Sequence, residues 1–583
     1  MIEKQLSYYI NKATELDGQT FEKKIRVALL GSFTLNGLAE ILQVKCAEKK
    51  IQCITYVGGY NQYNQEILDQ DSNLYKFLPD ISFLLIDSRT ILGEIFHHPY
   101  SLSTEDRKRF IDKKIEEIQK LIEVFGKKTN SKLVITNFNI PTFSPYGIFE
   151  TKTDYGLRRM INELNNKLSE LAFTLDSVFV YDFNNFVIKH GEKNVFDYNQ
   201  FLFGDIKVSL DHIPYLAHDL LSYVIGQLGI SKKCIVIDLD NTLWGGIVGE
   251  DGFNGIKLGP EPPGNAYVEF QRVLLSLYQR GIILAINSKN NYEDAIKVIK
   301  EHPYMVLREE HFACLKINWN DKVSNMQEIA NELNIGLDSI VFIDDDPVNR
   351  EYMKVSLSPV LTLDLPQDPS QYASAIKNMN EFSVLNITTE DSKRGKMYTE
   401  QRKRNELEKS TPDLESFLKQ LNLKILIKNA NEFTIPRISQ LTLKTNQFNL
   451  TTKRYQETDI KKFSQDQQYL VGCAQVEDRF GDNGITGVFI VRKENAKEWF
   501  IDTFLLSCRI MGREVEKGIF GHILNKAKAN GVERIKAQFI PSQKNKPIED
   551  FLPNCGFKKE GDYWVYSIKS QFVIPNCLTV RAE

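Results

Sequence analysis

The stretch CIVIDLDNTLWGG, beginning at Cys234, sets a chemical problem that limits what the chain can fold into. An apolar run carries directly into Asp238, and a second carboxylate, Asp240, follows two places later. The run reads as a buried strand, so its end brings two negative charges together. Removing each from water costs several kcal/mol unless something positive compensates. A solvated loop answers the problem in one way and a metal site with a nucleophile in another.

The surrounding pattern is α/β. Short apolar runs at Ile25–Leu30, Ile51–Val57, Ile81–Ile86, Lys132–Thr136 and Val178–Tyr181 alternate with helical periodicity such as Asp106–Phe125, which predicts a parallel sheet covered by helices over 1–230. A second such rhythm covers 231–385, with strands expected at Cys234–Asp238, Ile282–Asn287, Met305–Leu307 and Ser339–Ile343. Residues 386–412 balance many acids against many bases and read as a solvated helix and linker. Over 413–583 the pattern turns to antiparallel strands at Tyr469–Val476, Gly484–Val491 and Glu498–Leu505. A helix over Gly512–Asn530 and a strand over Arg534–Phe539 come next.

A net charge of -3 in 583 residues supplies no field for nucleic acid or an anionic membrane. The 8 cysteines are scattered, with no CxxC pair, so no zinc knuckle or disulfide framework is expected. The N-terminus lacks an apolar signal core, and no run approaches the ~18 apolar residues of a membrane span. A cytoplasmic chain is the expectation.

Four features of the middle region occur in order: Asp238-x-Asp240-x-Thr242, Ser288 in ILAINSKN, Lys322 in NWNDKVSNM, and Asp344-Asp345-Asp346 in VFIDDDP. Sites of open parallel sheets form beyond the carboxyl ends of the strands, so these groups converge. Asp238 and Asp344 together suit a hard cation such as Mg²⁺. Asp238 is then a candidate nucleophile, Asp240 a general acid and base, and Ser288 and Lys322 partners of a phosphoryl group.

The order and spacing resemble the haloacid dehalogenase (HAD) phosphatase superfamily, whose four motifs match Asp238/Asp240, Ser288, Lys322 and Asp344/Asp345. The resemblance implies Mg²⁺ held by Asp238, the main-chain carbonyl of Asp240, Asp344 and Asp345, with Asn241 and Thr242 beside the phosphate. The short spacing after the first motif leaves no room for a large cap, which suits a bulky substrate. DLDNTLWGGIVGEDG, the Leu258–Gln271 segment, RGIILAINSKNN and VFIDDDPVNREYM further resemble FkbH-like proteins, as do NQYNQEILD and TNQFNLTTKRY. That resemblance implies transfer of a glyceryl group from 1,3-bisphosphoglycerate, a phosphorylated three-carbon substrate, to the thiol of acyl carrier protein with loss of phosphate.

Arg509-x-x-Gly512-x-Glu514 resembles the pyrophosphate-binding turn of Gcn5-related N-acetyltransferases (GNAT), where a helix start cradles phosphate. Glu514 replaces a small residue and repels a pyrophosphate, so the arm of a carrier protein, with one phosphodiester, is the better expected occupant. Cys508 is expected to carry the acyl group transiently, its pKa lowered by Arg509 and the helix start. Asn446, Gln447 and Asn449 are expected in the same cleft. Gly31-Ser32-Phe33-Thr34 and Asn137 resemble SGNH hydrolases, but Asp211 and His212 are adjacent where that family spaces Asp-x-x-His, so a scaffold without hydrolase activity is expected. It is a place to bind the carrier protein or the acyl unit. The alternatives are a Mg-dependent phosphatase on another metabolite, an N-acyltransferase with the HAD region as scaffold, and a non-catalytic assembly protein.

Overall fold

A computed structural model describes residues 3–16, 18–21, 23–387, 389–542 and 544–583, less the side chains of residues 389–392, 409, 444 and 508. It divides into two compact units, Met1–Ser231 with Asn378–Asn386, and Lys232–Lys377 with Ile387–Glu583.

The first unit is built on β1 (Lys23–Gly31), β2 (Ile51–Val57), β3 (Ile81–Leu85), β4 (Lys132–Thr136) and β5 (Val178–Tyr181). They form one parallel sheet in the order β2-β1-β3-β4-β5. Both faces are covered, which is why the strands read as near-continuous apolar runs. The Thr104–Lys128 helix shows how the cover forms. Ser103 accepts from the Asp106 N–H at 3.2 Å to start it, and Ile111, Ile118, Leu121, Ile122 and Phe125 make its buried stripe. Residues 378–386 belong to this unit, whereas the sequence reading ends it at 230. Phe382 is buried there, and Asn380 donates to the His218 carbonyl at 3.2 Å.

The second unit contains two sheets. The first has β6 (Cys234–Ile237), β7 (Ile283–Ser288), β8 (Phe312–Ile317), β9 (Ile340–Ile343) and β10 (Leu361–Thr362), all parallel, in the order β10-β9-β6-β7-β8. The strand expected at Met305–Leu307 is instead a buried turn, and Phe312–Ile317 takes its place in the sheet. The reason is Gln271, fully buried, whose Oε1 accepts from the Val306 and Leu307 N–H groups at 2.8 and 3.1 Å.

The second sheet is mixed. It comprises β11 (Leu423–Asn429), β12 (Phe448–Asn449), β13 (Tyr469–Asp478), β14 (Gly481–Asn495), β15 (Glu498–Leu506), β16 (Arg534–Ala537), β17 (Lys558–Glu560), β18 (Tyr563–Ser567) and β19 (Leu578–Ala582). β13, β14 and β15 form an antiparallel meander, and the Val515–Ala529 helix crosses from β15 to the parallel strand β16. The residues between the sheets are not a solvated linker. Thr389–Ser410 is one helix with Arg404 1% exposed, and Arg404 forks onto buried Asp478 at 2.6 and 2.9 Å. Arg402 on the same helix pairs with Glu309 at 3.3 Å. Balanced composition hides this, because charges paired in the interior count the same as charges in water.

Candidate active site

Ladder hydrogen bonds align β6, β7 and β9, so their carboxyl ends emerge together at one sheet edge. Asp238 follows β6, Ser288 ends β7, and Asp344 and Asp345 follow β9. Lys322 opens the Lys322–Glu332 helix, which Asp321 caps by accepting from the Ser324 N–H at 2.9 Å.

The side chains of Asp238, Lys322, Asp344 and Asp345 meet. The Lys322 ammonium lies 3.0 Å from Asp238 Oδ1 and 2.6 Å from Asp344 Oδ2, and all three residues are buried. One oxygen from each of Asp238, Asp344 and Asp345 lies within 4.8 Å of the others. Among the described residues this is the carboxylate set with metal-holding spacing. Three carboxylates against one ammonium leave net negative charge in a buried place. Burial, then the charges of Asp238 and Asp344, push Asp345 up to about 6. Burial and then Asp238 raise Asp344 too. Burial alone would lower Lys322, but the charges of Asp238 and Asp344 outweigh it and raise its pKa. The carboxylate set is all oxygen and carries more negative charge than Lys322 balances, so the site fits a hard divalent cation.

Asp240 stands apart from the cluster. Its Oδ1 accepts from Trp244 Nε1 at 2.8 Å and the Val248 N–H at 3.1 Å, and its Oδ2 from Asn290 Nδ2 at 2.7 Å. Burial raises its pKa, as required of an acid that starts protonated. Its carboxylate is not among the three with metal-holding spacing.

Two expected phosphate contacts take other work. Thr242 is fully buried and exchanges hydrogen bonds with Asp345, its hydroxyl donating to Oδ1 at 3.2 Å and accepting from the N–H at 3.1 Å. It positions a carboxylate. Asn241, at φ +54°, turns its side chain back to accept from the Gly246 N–H at 2.8 Å. Asn290, Asn287 and Asn325 were not singled out from sequence. Asn287 donates to the Lys322 carbonyl at 2.8 Å and accepts from Asn325 at 3.2 Å, fixing the start of the lysine helix. Asn287 and Asn290 flank Ser288 in INSKNN, and that cluster was the available signal.

At the mixed sheet, Gly512 (φ +77°) and Glu514 (φ +61°) form the turn before the Val515–Ala529 helix. Arg509 reaches Met397 Sδ at 2.7 Å, and Arg513 reaches Gln401 at 2.5 Å, both on the Thr389–Ser410 helix. A cavity of about 210 Å³ adjoins this turn, lined by Arg509, Gly512, Tyr398 and Gln401 among others. The Cys508 side chain lies outside the described residues. Asn449 does not line a cleft: it is fully buried in β12, its Oδ1 accepting from the Thr451 and Thr452 N–H groups. β12 pairs with Leu505–Leu506, where β15 has parted from β16, and fills that opening. Asn446 accepts from Arg454 at 2.6 Å, and Gln447 is exposed. In the first unit, the Ser32 hydroxyl accepts from the Asp87 N–H at 2.8 Å, and His212 pairs with Ser209 instead. Asn137 bonds Asp182 at 2.7 Å.

The fold and this centre define an α/β chain with a phosphatase-type carboxylate site and an additional mixed-sheet region. Residues 26–225 match the family model described as FkbH, N-terminal domain. A crystal structure of the N-terminal part of the protein BF1531 from Bacteroides fragilis, containing a phosphatase domain and complexed with Mg, matches with 27% identity and a TM-score of 0.60. It covers 66% of this chain and 100% of its own. The ribosomal-protein-S18-alanine N-acetyltransferase of Escherichia coli aligns with 10% identity over 25% of this chain and 96% of its own, at a TM-score of 0.21. No curated protein matches the chain. The FkbH domain and the phosphatase-domain neighbour support a phosphatase-type role. Among the described residues, no helix is long and apolar enough to cross a membrane.

Proposed function

We propose that the chain is an FkbH-like acyl-loading enzyme. It takes a glyceryl unit from 1,3-bisphosphoglycerate, removes phosphate, and leaves the acyl unit as a thioester on the phosphopantetheine arm of acyl carrier protein. The observation that carries the reading is the buried Asp238–Lys322–Asp344 contact beside Asp345, with Asp240 held separately. Mg²⁺, held by Asp238, Asp344 and Asp345, would neutralise the phosphoryl oxygens; the Bacteroides fragilis protein crystallised with Mg supports this choice.

Asp238 attacks phosphorus with its carboxylate oxygen, and the bond to the leaving oxygen breaks. Asp240 gives that oxygen its proton. Lys322 balances charge on the transferred group. Asp240, now ionised, takes a proton from water as it attacks the aspartyl-phosphate, and inorganic phosphate leaves. This route removes the 3-phosphate. The anhydride phosphate leaves when a thiolate sulfur bonds the acyl carbon and the carbon–oxygen bond breaks. Cys508 is the proposed first thiol, from which the carrier thiol takes the glyceryl group.

The test is the intact mass of holo-carrier protein after incubation with the enzyme, Mg²⁺ and 1,3-bisphosphoglycerate. A glyceryl adduct is expected. Phosphate release with no adduct would make the chain a plain phosphatase. A Cys508→Ala variant that loads the carrier at the normal rate removes the cysteine step.

A further inference from the structure

The first unit contains a cavity of about 200 Å³ that the reaction above does not use. Arg89, Phe96, Asn139, Phe196, Phe201 and Lys207 line it. It opens beyond the carboxyl ends of β3 and β4: Arg89 follows β3, and Asn139 follows β4. Open α/β sheets take ligands beyond the carboxyl ends of their strands, which is the side on which this cavity lies.

The charges around it are unequally paired. Lys207, 5% exposed, is neutralised by buried Asp87. Glu192 is occupied by the N–H and hydroxyl of Thr142. Arg89 has no side-chain hydrogen bond or ion pair among the described residues, and its Nε is buried without a partner. Its guanidinium lies between rings, 4.8 Å from the Phe201 centroid and 5.4 Å from that of Phe96. A guanidinium stacked on aromatic faces keeps its N–H edge free for a planar anion. Phe96, Phe196 and Phe201 give the cavity its apolar walls, with Asn139 and His97 as polar neighbours, and Phe143, 74% exposed, extends the apolar lining. The volume is below the roughly 300–1,000 Å³ of a drug-sized pocket.

We propose that this cavity binds a small carboxylate with a flat apolar body, its carboxylate on Arg89 and its body between Phe96, Phe196 and Phe201. Binding here is independent of the Asp238 centre.

The probe is 4-fluorobenzoate, followed by ¹⁹F NMR line broadening with the full chain. Unlabelled benzoate displaces it, and 4-fluorobenzylammonium does not bind. Arg89→Gln weakens binding roughly tenfold or more, with Arg89→Lys recovering part of the loss. Phe201→Leu, which leaves the charge intact, weakens it by a smaller factor. Circular dichroism confirms that each variant is folded. No broadening by 4-fluorobenzoate at millimolar concentration, equal binding of the ammonium analogue, or undiminished binding by folded Arg89→Gln overturns the proposal.

Discussion

Asp238 and Asp240 sit two residues apart in different surroundings, which is the ground for proposing different roles for them. Asp238 faces an ammonium and two further carboxylates, whereas Asp240 is fixed by Trp244, Asn290 and a main-chain N–H. Asp238→Asn is expected to lower phosphate release by several orders of magnitude, read by a phosphate assay with the fold checked; unchanged release contradicts the assignment. Asp240→Asn is expected to cost ~10²–10⁴-fold. Trp244→Phe removes one donor to Asp240 and should shift the basic limb of the pH–rate profile upward, since the lost bond favours the ionised form. Asp238, Ser288, Asp344 and Asp345 were legible as candidates because each stands at or just beyond the end of an apolar run. For Thr242 and Asn241 the structure turns the side chains to Asp345 and Gly246, which the sequence did not show, because sequence order carries no direction for a side chain.

The Thr389–Ser410 helix was expected as a helix but read as solvated, and that is where the structure differs most. Its charge is not solvent-facing throughout: Arg404 and Asp478 are a buried pair with Arg513 close by. Burial opposes ionisation of Asp478, but the bonds and charge of Arg404 outweigh it and lower its pKa. A lowered carboxyl pKa contributes stability that is present above the ordinary value and is lost as pH falls through the lowered one. Arg404→Met should therefore destabilise the second unit by ~3–5 kcal/mol near neutral pH, and by less in acid, in denaturant unfolding. Arg404→Met with Asp478→Leu should recover much of the loss. A single variant as stable as the parent at neutral pH contradicts the pairing. Strand positions were legible where apolar runs were long. Met305–Leu307 was misplaced because one buried glutamine removes its backbone from the ladder.

At the scale of the whole molecule, two units and three sheets carry the chain, and the parallel sheets were readable from their rhythm alone. The return of 378–386 to the first unit was not, since so short a segment carries no periodicity. The carboxylate cluster lies wholly in the second unit, so Mg²⁺ is expected to stabilise that unit's unfolding transition by ~2.7 kcal/mol at a hundredfold excess over Kd, and chelation to reverse it. Calorimetry with and without chelator reads this; an unmoved transition at saturating Mg²⁺ contradicts the site. In the metal-free protein Asp345 gains a proton below about pH 6, so Mg²⁺ affinity should fall as pH drops through that value. The acyl-loading reading makes one stoichiometric demand, because a glyceryl thioester retains neither phosphate of its donor. Phosphate released and carrier thioester formed, measured together in one incubation with 1,3-bisphosphoglycerate, should stand at two to one. One phosphate for each thioester, or phosphate with no thioester, contradicts it.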